Sequence, residues 1–218
     1  MNANQILWLF VVIKLVYFMF ERYLARKNRD YYLDQQNQED AIKSLGIAED
    51  DMTKTLSYSE DKYKYSSIVN MIKFVVFIAF LVNGGFGWVE QISKSYFSHP
   101  ITVGLGFFGL LVVASMVFNL PFDYYRTFVL EEKHGFNKST PVTFFMDRFK
   151  GVLIGAVLGG LLVSALLWVM GSLPMWWLWA WVLMTGFSLV TMLIYPTLLA
   201  PLFNKLSLIH ISEPTRPY

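Results

Sequence analysis

Five long apolar stretches, separated by polar segments of unequal length, set the pattern of this chain. The first, at 4–23, carries no charge before Glu21 except Lys14 and is about 20 residues long, enough for a helix to cross roughly 30 Å of hydrocarbon. Residues 21–65 then hold eight Lys/Arg and ten Asp/Glu with few large aliphatics, which reads as a solvated, partly helical connection. Ser57 and Glu60 have capping-box spacing, and Tyr58, Tyr65, Ile68 and Ile72 share one helical face. A helix is therefore expected to begin in water near Ser57 and continue into a second span at 68–88.

A short polar turn at 91–99 precedes a third apolar run at 101–120, and Pro121 is expected to kink that helix rather than end it. Helix then resumes to His134, where Lys133 and His134 suit the negative end of the dipole and Gly135 suits a left-handed cap. Thr140 and Pro141 have the types of an N-cap and a first helical residue, opening a helix that becomes the fourth span at 152–170. Gly151, Gly155 and Gly159, four residues apart, predict a face for close helix approach. The turn at 171–174 allows only an antiparallel hairpin with a fifth span at 175–199, broken at its end by Pro196 and Pro201. The expected class is all-α: a polytopic membrane protein with five transmembrane helices.

Composition strengthens this reading, since 55% of the residues are hydrophobic and only 16% charged, a balance outside the globular range. The lipid bilayer is then the main partner. A net charge of +2, without a basic stripe, points to no nucleic acid. Absence of cysteine excludes disulfides and thiolate chemistry. Basic residues concentrate at 21–65 and 126–150, which by the positive-inside rule places the N-terminus outside and loop 121–150 and the C-terminus on the cytoplasmic side. The first span lacks a signal-peptide cleavage pattern and reads as a retained anchor. Lys14 has two readings, a side chain turned into the bundle or one that snorkels.

Candidate chemistry is sparse. The sequence contains no H-E-x-x-H, G-x-S-x-G or phosphate loop. Leu120 to Lys138 stands out as polar, aromatic and irregular among apolar segments. Its Glu131 and Glu132 lie near a helix C-terminus, where the dipole disfavours them, so a basic partner, metal or substrate is expected to compensate. A surface ion-pair cluster with Arg126, Lys133 and Lys138 fits these residue types better than a metal site, because adjacent carboxylates diverge around a helix and one imidazole is present.

The run TFVLEEKHGFNKSTP, Thr127 to Pro141, closely resembles the hallmark loop of the type I CAAX prenyl proteases, which are integral membrane zinc metalloendopeptidases. IYPTLLAPLFNK, Ile194 to Lys205, is similar to the family's segment ending span five, and YSEDKYKYSSI, Tyr58 to Ile68, to its lead into span two. The resemblance covers about residues 1–205. It implies half of a seven-helix fold around a water-filled chamber, in a bacterial inner membrane or one of endoplasmic-reticulum type. In the intact family member zinc is held by H-E-x-x-H and a downstream Glu, and the substrate is a protein or peptide, prenylated at a CAAX tail in eukaryotic relatives. This chain reads LSLIHISEPTRPY after Lys205, so no catalytic or metal residue is assigned to it and none is expected to bind zinc. Residues 206–218 read as a non-native, adapter-derived or disordered tail, which removes His210 as a ligand.

On that resemblance, residues 1–205 are expected to be the N-terminal transmembrane domain of a zinc-dependent CAAX-type endopeptidase, inactive alone. Glu131, Glu132, His134 and Asn137 become candidates for contact with the protease domain or substrate. The alternative is a non-enzymatic membrane scaffold or binding protein reusing the five-span half. A small transporter lacks the internal repeat that would support it.

Overall fold

The computed structural model describes residues 2–46 and 48–196, and all the regular structure among them is helical. The helices are α1 (Ala3–Leu33), α2 (Gln35–Leu45), α3 (Glu49–Val82), α4 (Gly85–Tyr96), α5 (Pro100–Tyr125), a π-helical turn (Arg126–Glu131), α6 (Pro141–Ser172) and α7 (Trp176–Ile194). Five helical segments are long and apolar enough to cross a membrane: α1, α3, α5 with its π turn, α6 and α7. Pro201, His210, most of Ile194 to Lys205 and the tail at 206–218 lie outside the described residues.

The chain divides into two compact units, residues 1–91 with 112–138 and residues 92–111 with 139–218. In the first, α1 opens on a capping box in which Asn2 and Gln5 exchange hydrogen bonds with each other's backbone N–H. It runs ten residues past the expected end at Tyr23, because its polar extension packs along α3. There Arg29 donates to both carboxylate oxygens of Glu60 at 2.6 and 3.1 Å. At the other end of this antiparallel pair, Phe18 stacks on Phe74 with centroids 4.2 Å apart.

Three further boundaries differ from the sequence reading. The helix expected to start at Ser57 starts at Glu49, where Glu49, Asp50 and Asp51 complement the positive end of the dipole. Glu60 closes no capping box; its carboxylate is engaged by Arg29. The second span ends at Val82 rather than residue 88, because Gly84 turns the chain at φ +72°. The expected polar turn at 91–99 is mostly helix, the second half of α4.

In the second unit, Ser93 is fully buried and donates to the Val103 carbonyl at 2.6 Å. A Cβ at Gly106 would stand 2.5 Å from that hydroxyl, so only glycine fits there. Helices α6 and α7 form the expected hairpin. Thr140 caps α6 by accepting from the Thr143 N–H at 3.2 Å, with Pro141 first in the helix. The Gly151, Gly155 and Gly159 stripe receives no neighbour: nothing described lies within 4 Å of a Cβ at any of the three. The more buried part of α6 is its C-terminal half, beside the turn, which the hairpin geometry brings onto α7.

Candidate functional site

Helix α5 carries Pro121 inside it without ending, as the sequence reading expects. The next turn is π-helical, Arg126–Glu131, a rare geometry that widens the helix by one residue per turn. Residues five apart stack in such a turn, and Arg126 Nε donates to Glu131 Oε1 at 3.1 Å. Gly135, at φ +73°, then reverses the chain. The N–H groups of Phe136 and Asn137 return to the Glu131 carbonyl and that of Gly135 to the Glu132 carbonyl, so the loop closes on its own backbone.

One face of α3 receives this loop through Tyr58 and Asp61 and the end of α5 through Tyr65; the three are three and four residues apart and so lie one above the other. Tyr65 donates its hydroxyl to the Phe122 carbonyl and stacks on Tyr125 with centroids 5.4 Å apart. Asp61 Oδ2 accepts from Lys133 Nζ at 2.6 Å and meets His134 Nε2 at 2.9 Å. Tyr58 stands edge-on to both the His134 and Phe136 rings, at 5.2 and 4.8 Å. Adjacent residues Glu60 and Asp61 thus serve different partners, α1 and the loop.

The four residues singled out in the sequence separate into three roles. His134 is the inward member, its side chain 11% exposed, while Lys133 on the same carboxylate is 63% exposed. Glu131 is tied to Arg126 within the π turn. Glu132 faces solvent and accepts from Asn137 Nδ2 at 2.8 Å, giving the loop an exposed polar edge. The compensating basic partners are therefore Arg126 for Glu131 and Asn137 in place of a base for Glu132. Asp61 lies ahead of the apolar part of α3, which begins at Ile68, and hydrogen bonds from Lys133 and then His134 hold its carboxyl below the usual range.

Asp61 and Tyr58 were not among the sequence candidates. Their signal was available in the spacing of Tyr58, Asp61 and Tyr65 within the run similar to the family's lead into span two. The π turn had none, since its side-chain spacing becomes meaningful only once the helix has widened. Among the described residues no three His, Cys, Asp or Glu side chains gather to hold a metal ion. The two such donors that the site does bring together, Asp61 and His134, hydrogen-bond each other.

Comparison with known proteins agrees with the helical order. A family-wide sequence model described as "CAAX prenyl protease N-terminal, five membrane helices" matches residues 30–205. The chain is 30% identical over 190 residues to a CAAX prenyl protease 1 homolog from Caenorhabditis elegans, covering 87% of this chain and 40% of that protein. It is 33% identical over 168 residues to a homolog from Arabidopsis thaliana, covering 73% and 39% respectively. The crystal structure of S. mikatae Ste24p superposes with a TM-score of 0.80 at 25% identity, over 94% of this chain and 49% of that one. The chain spans about two fifths of the length of these curated relatives. With five membrane-length helices in matching order and a family match over most of its residues, the chain belongs to the CAAX prenyl protease family, to whose N-terminal membrane region it corresponds.

Proposed function

We propose that this chain supplies the membrane portion of a zinc-dependent CAAX-type endopeptidase, and that its 131–137 loop orients the peptidase part or the substrate. The observation that carries this reading is the loop itself. It is held on α3 by Asp61 and Tyr58 yet keeps Glu132 outward, with Asn137 half-buried beside it, which is the arrangement of a docking element. Peptide hydrolysis and zinc binding fall, in this reading, to the part of the longer relatives that this chain does not align with. Zinc there would activate a water for attack on a peptide carbonyl. Loop 121–150 faces the cytoplasm, supported by the concentration of Lys and Arg at 21–65 and 126–150.

The test joins residues 1–205 to the remaining part of a longer relative and follows cleavage of a prenylated CAAX peptide. Chelator-sensitive, zinc-restored cleavage by the joined protein, with none by residues 1–218, is the expected result. Cleavage by residues 1–218 alone, or an inert joined protein that is folded and zinc-loaded, would contradict it.

A further inference from the structure

The α1 face that meets α3 is marked by partly buried residues at spacings of three or four: Val11, Lys14, Phe18, Arg22, Ala25 and Arg29. Three of them are cations, and they are answered differently. Lys14 Nζ sits 5.8 and 5.7 Å from the ring centroids of Phe10 and Phe77, turned into the seam rather than snorkelling. Arg29 has Glu60. Arg22 has the Phe18 ring 5.8 Å from its Cζ, but its Nε is buried with no hydrogen-bond partner among the described residues.

The Oγ of Ser67, on α3, is likewise buried with no hydrogen-bond partner among the described residues. Both residues fall between the Phe18–Phe74 stack and the Arg29–Glu60 ion pair, so the two groups belong to one stretch of the antiparallel seam. A buried guanidinium N–H and a buried hydroxyl left unsatisfied together are costly, and both can donate. The hydroxyl can also accept, whereas the guanidinium can only donate, so what the seam lacks is a strong acceptor, and an anionic one fits the guanidinium.

Depth identifies the acceptor. Arg22 stands at the end of the first apolar run and Ser67 immediately ahead of the second, which begins at Ile68, so both lie at the edge of the hydrocarbon. The abundant anion at that level is the phosphate of a phospholipid, and Arg26 and Lys27 on the next turn raise the local positive potential. We infer that the α1/α3 seam holds the phosphodiester of one membrane phospholipid, with Arg22 and Ser67 as its donors. Arg suits this role because its planar fork matches phosphate oxygens.

Native mass spectrometry of the detergent-purified chain with added phosphatidylglycerol tests the inference, with inorganic phosphate as a second arm. One retained phospholipid per chain is expected. Arg22→Gln and Ser67→Ala should each weaken retention about tenfold, the scale of one lost charge-assisted hydrogen bond, while Lys43→Gln on α2 leaves it unchanged. Should Arg22→Gln not fold, Ser67→Ala decides alone. Equal retention by wild type and Ser67→Ala would overturn the inference, and so would inorganic phosphate displacing the lipid.

Discussion

Asp61 Oδ2 lies 2.9 Å from Nε2 of His134, a residue 73 positions later in the chain. The same oxygen takes the ammonium of Lys133, so one carboxylate on α3 fixes two consecutive residues of the loop. His134 is the partner that matters more for stability, because it is nearly enclosed whereas Lys133 remains in solvent.

Replacing Asp61 with Ala leaves the enclosed imidazole without its acceptor and should cost roughly 1–2 kcal/mol. Asp61→Asn keeps one acceptor oxygen and should cost less. Hydrogen exchange at residues 131–137 is the direct readout: faster exchange confined to this loop is expected, with α6 and α7 unchanged.

The clamp has a defined pH dependence. Lys133 and His134 depress the Asp61 carboxyl, so its contribution is fully present above the ordinary aspartate value of about 3.9 and is lost as pH falls through the lower folded value. The difference in melting temperature between wild type and Asp61→Asn should therefore persist at pH 5 and shrink only below about pH 4.

Glycines in α5 and α6 should behave oppositely. Gly106→Ala forces a Cβ against the buried Ser93 hydroxyl and the Phe97 ring, so its melting temperature should fall. Gly155→Ala meets open space within a helix and should be neutral or stabilising by up to about 1 kcal/mol. Thermal melting of the two variants in one detergent checks both.

The contact between Tyr65 and the Phe122 carbonyl ties α3 to the turn after Pro121. Tyr65→Phe keeps the stack on Tyr125 and removes only the hydroxyl, so a loss of about 1 kcal/mol is expected. No measurable loss would mean that the ring, not the hydroxyl, holds the turn.

Much of this structure follows from local rules. The Thr140–Pro141 start, the Gly135 reversal and the hairpin at 171–174 depend on neighbours in sequence, and each occurs where the residue types place it. The errors have separate causes. Helix α1 runs on to Leu33, where Arg29 meets Glu60 on another helix, whereas α3 starts at Glu49 rather than Ser57 on the acidic residues of its first turn. Residues 91–99 contain enough polar side chains to look like a turn, yet 91–96 are helical and Ser93 satisfies its hydroxyl on Val103. At the candidate site, Glu131, Glu132, His134 and Asn137 were legible as an unusual cluster. Their division into inward and outward members depends on Asp61, which the loop's own sequence does not mention.

Cleavage of a prenylated CAAX peptide by residues 1–205 joined to the rest of a longer relative, with Glu131, Glu132, His134 and Asn137 all replaced by Ala, tests the loop's role most directly. A fall in kcat/KM of at least about tenfold is expected, with the melting temperature of the helices nearly kept and zinc still bound. Full activity in that variant would contradict the docking role.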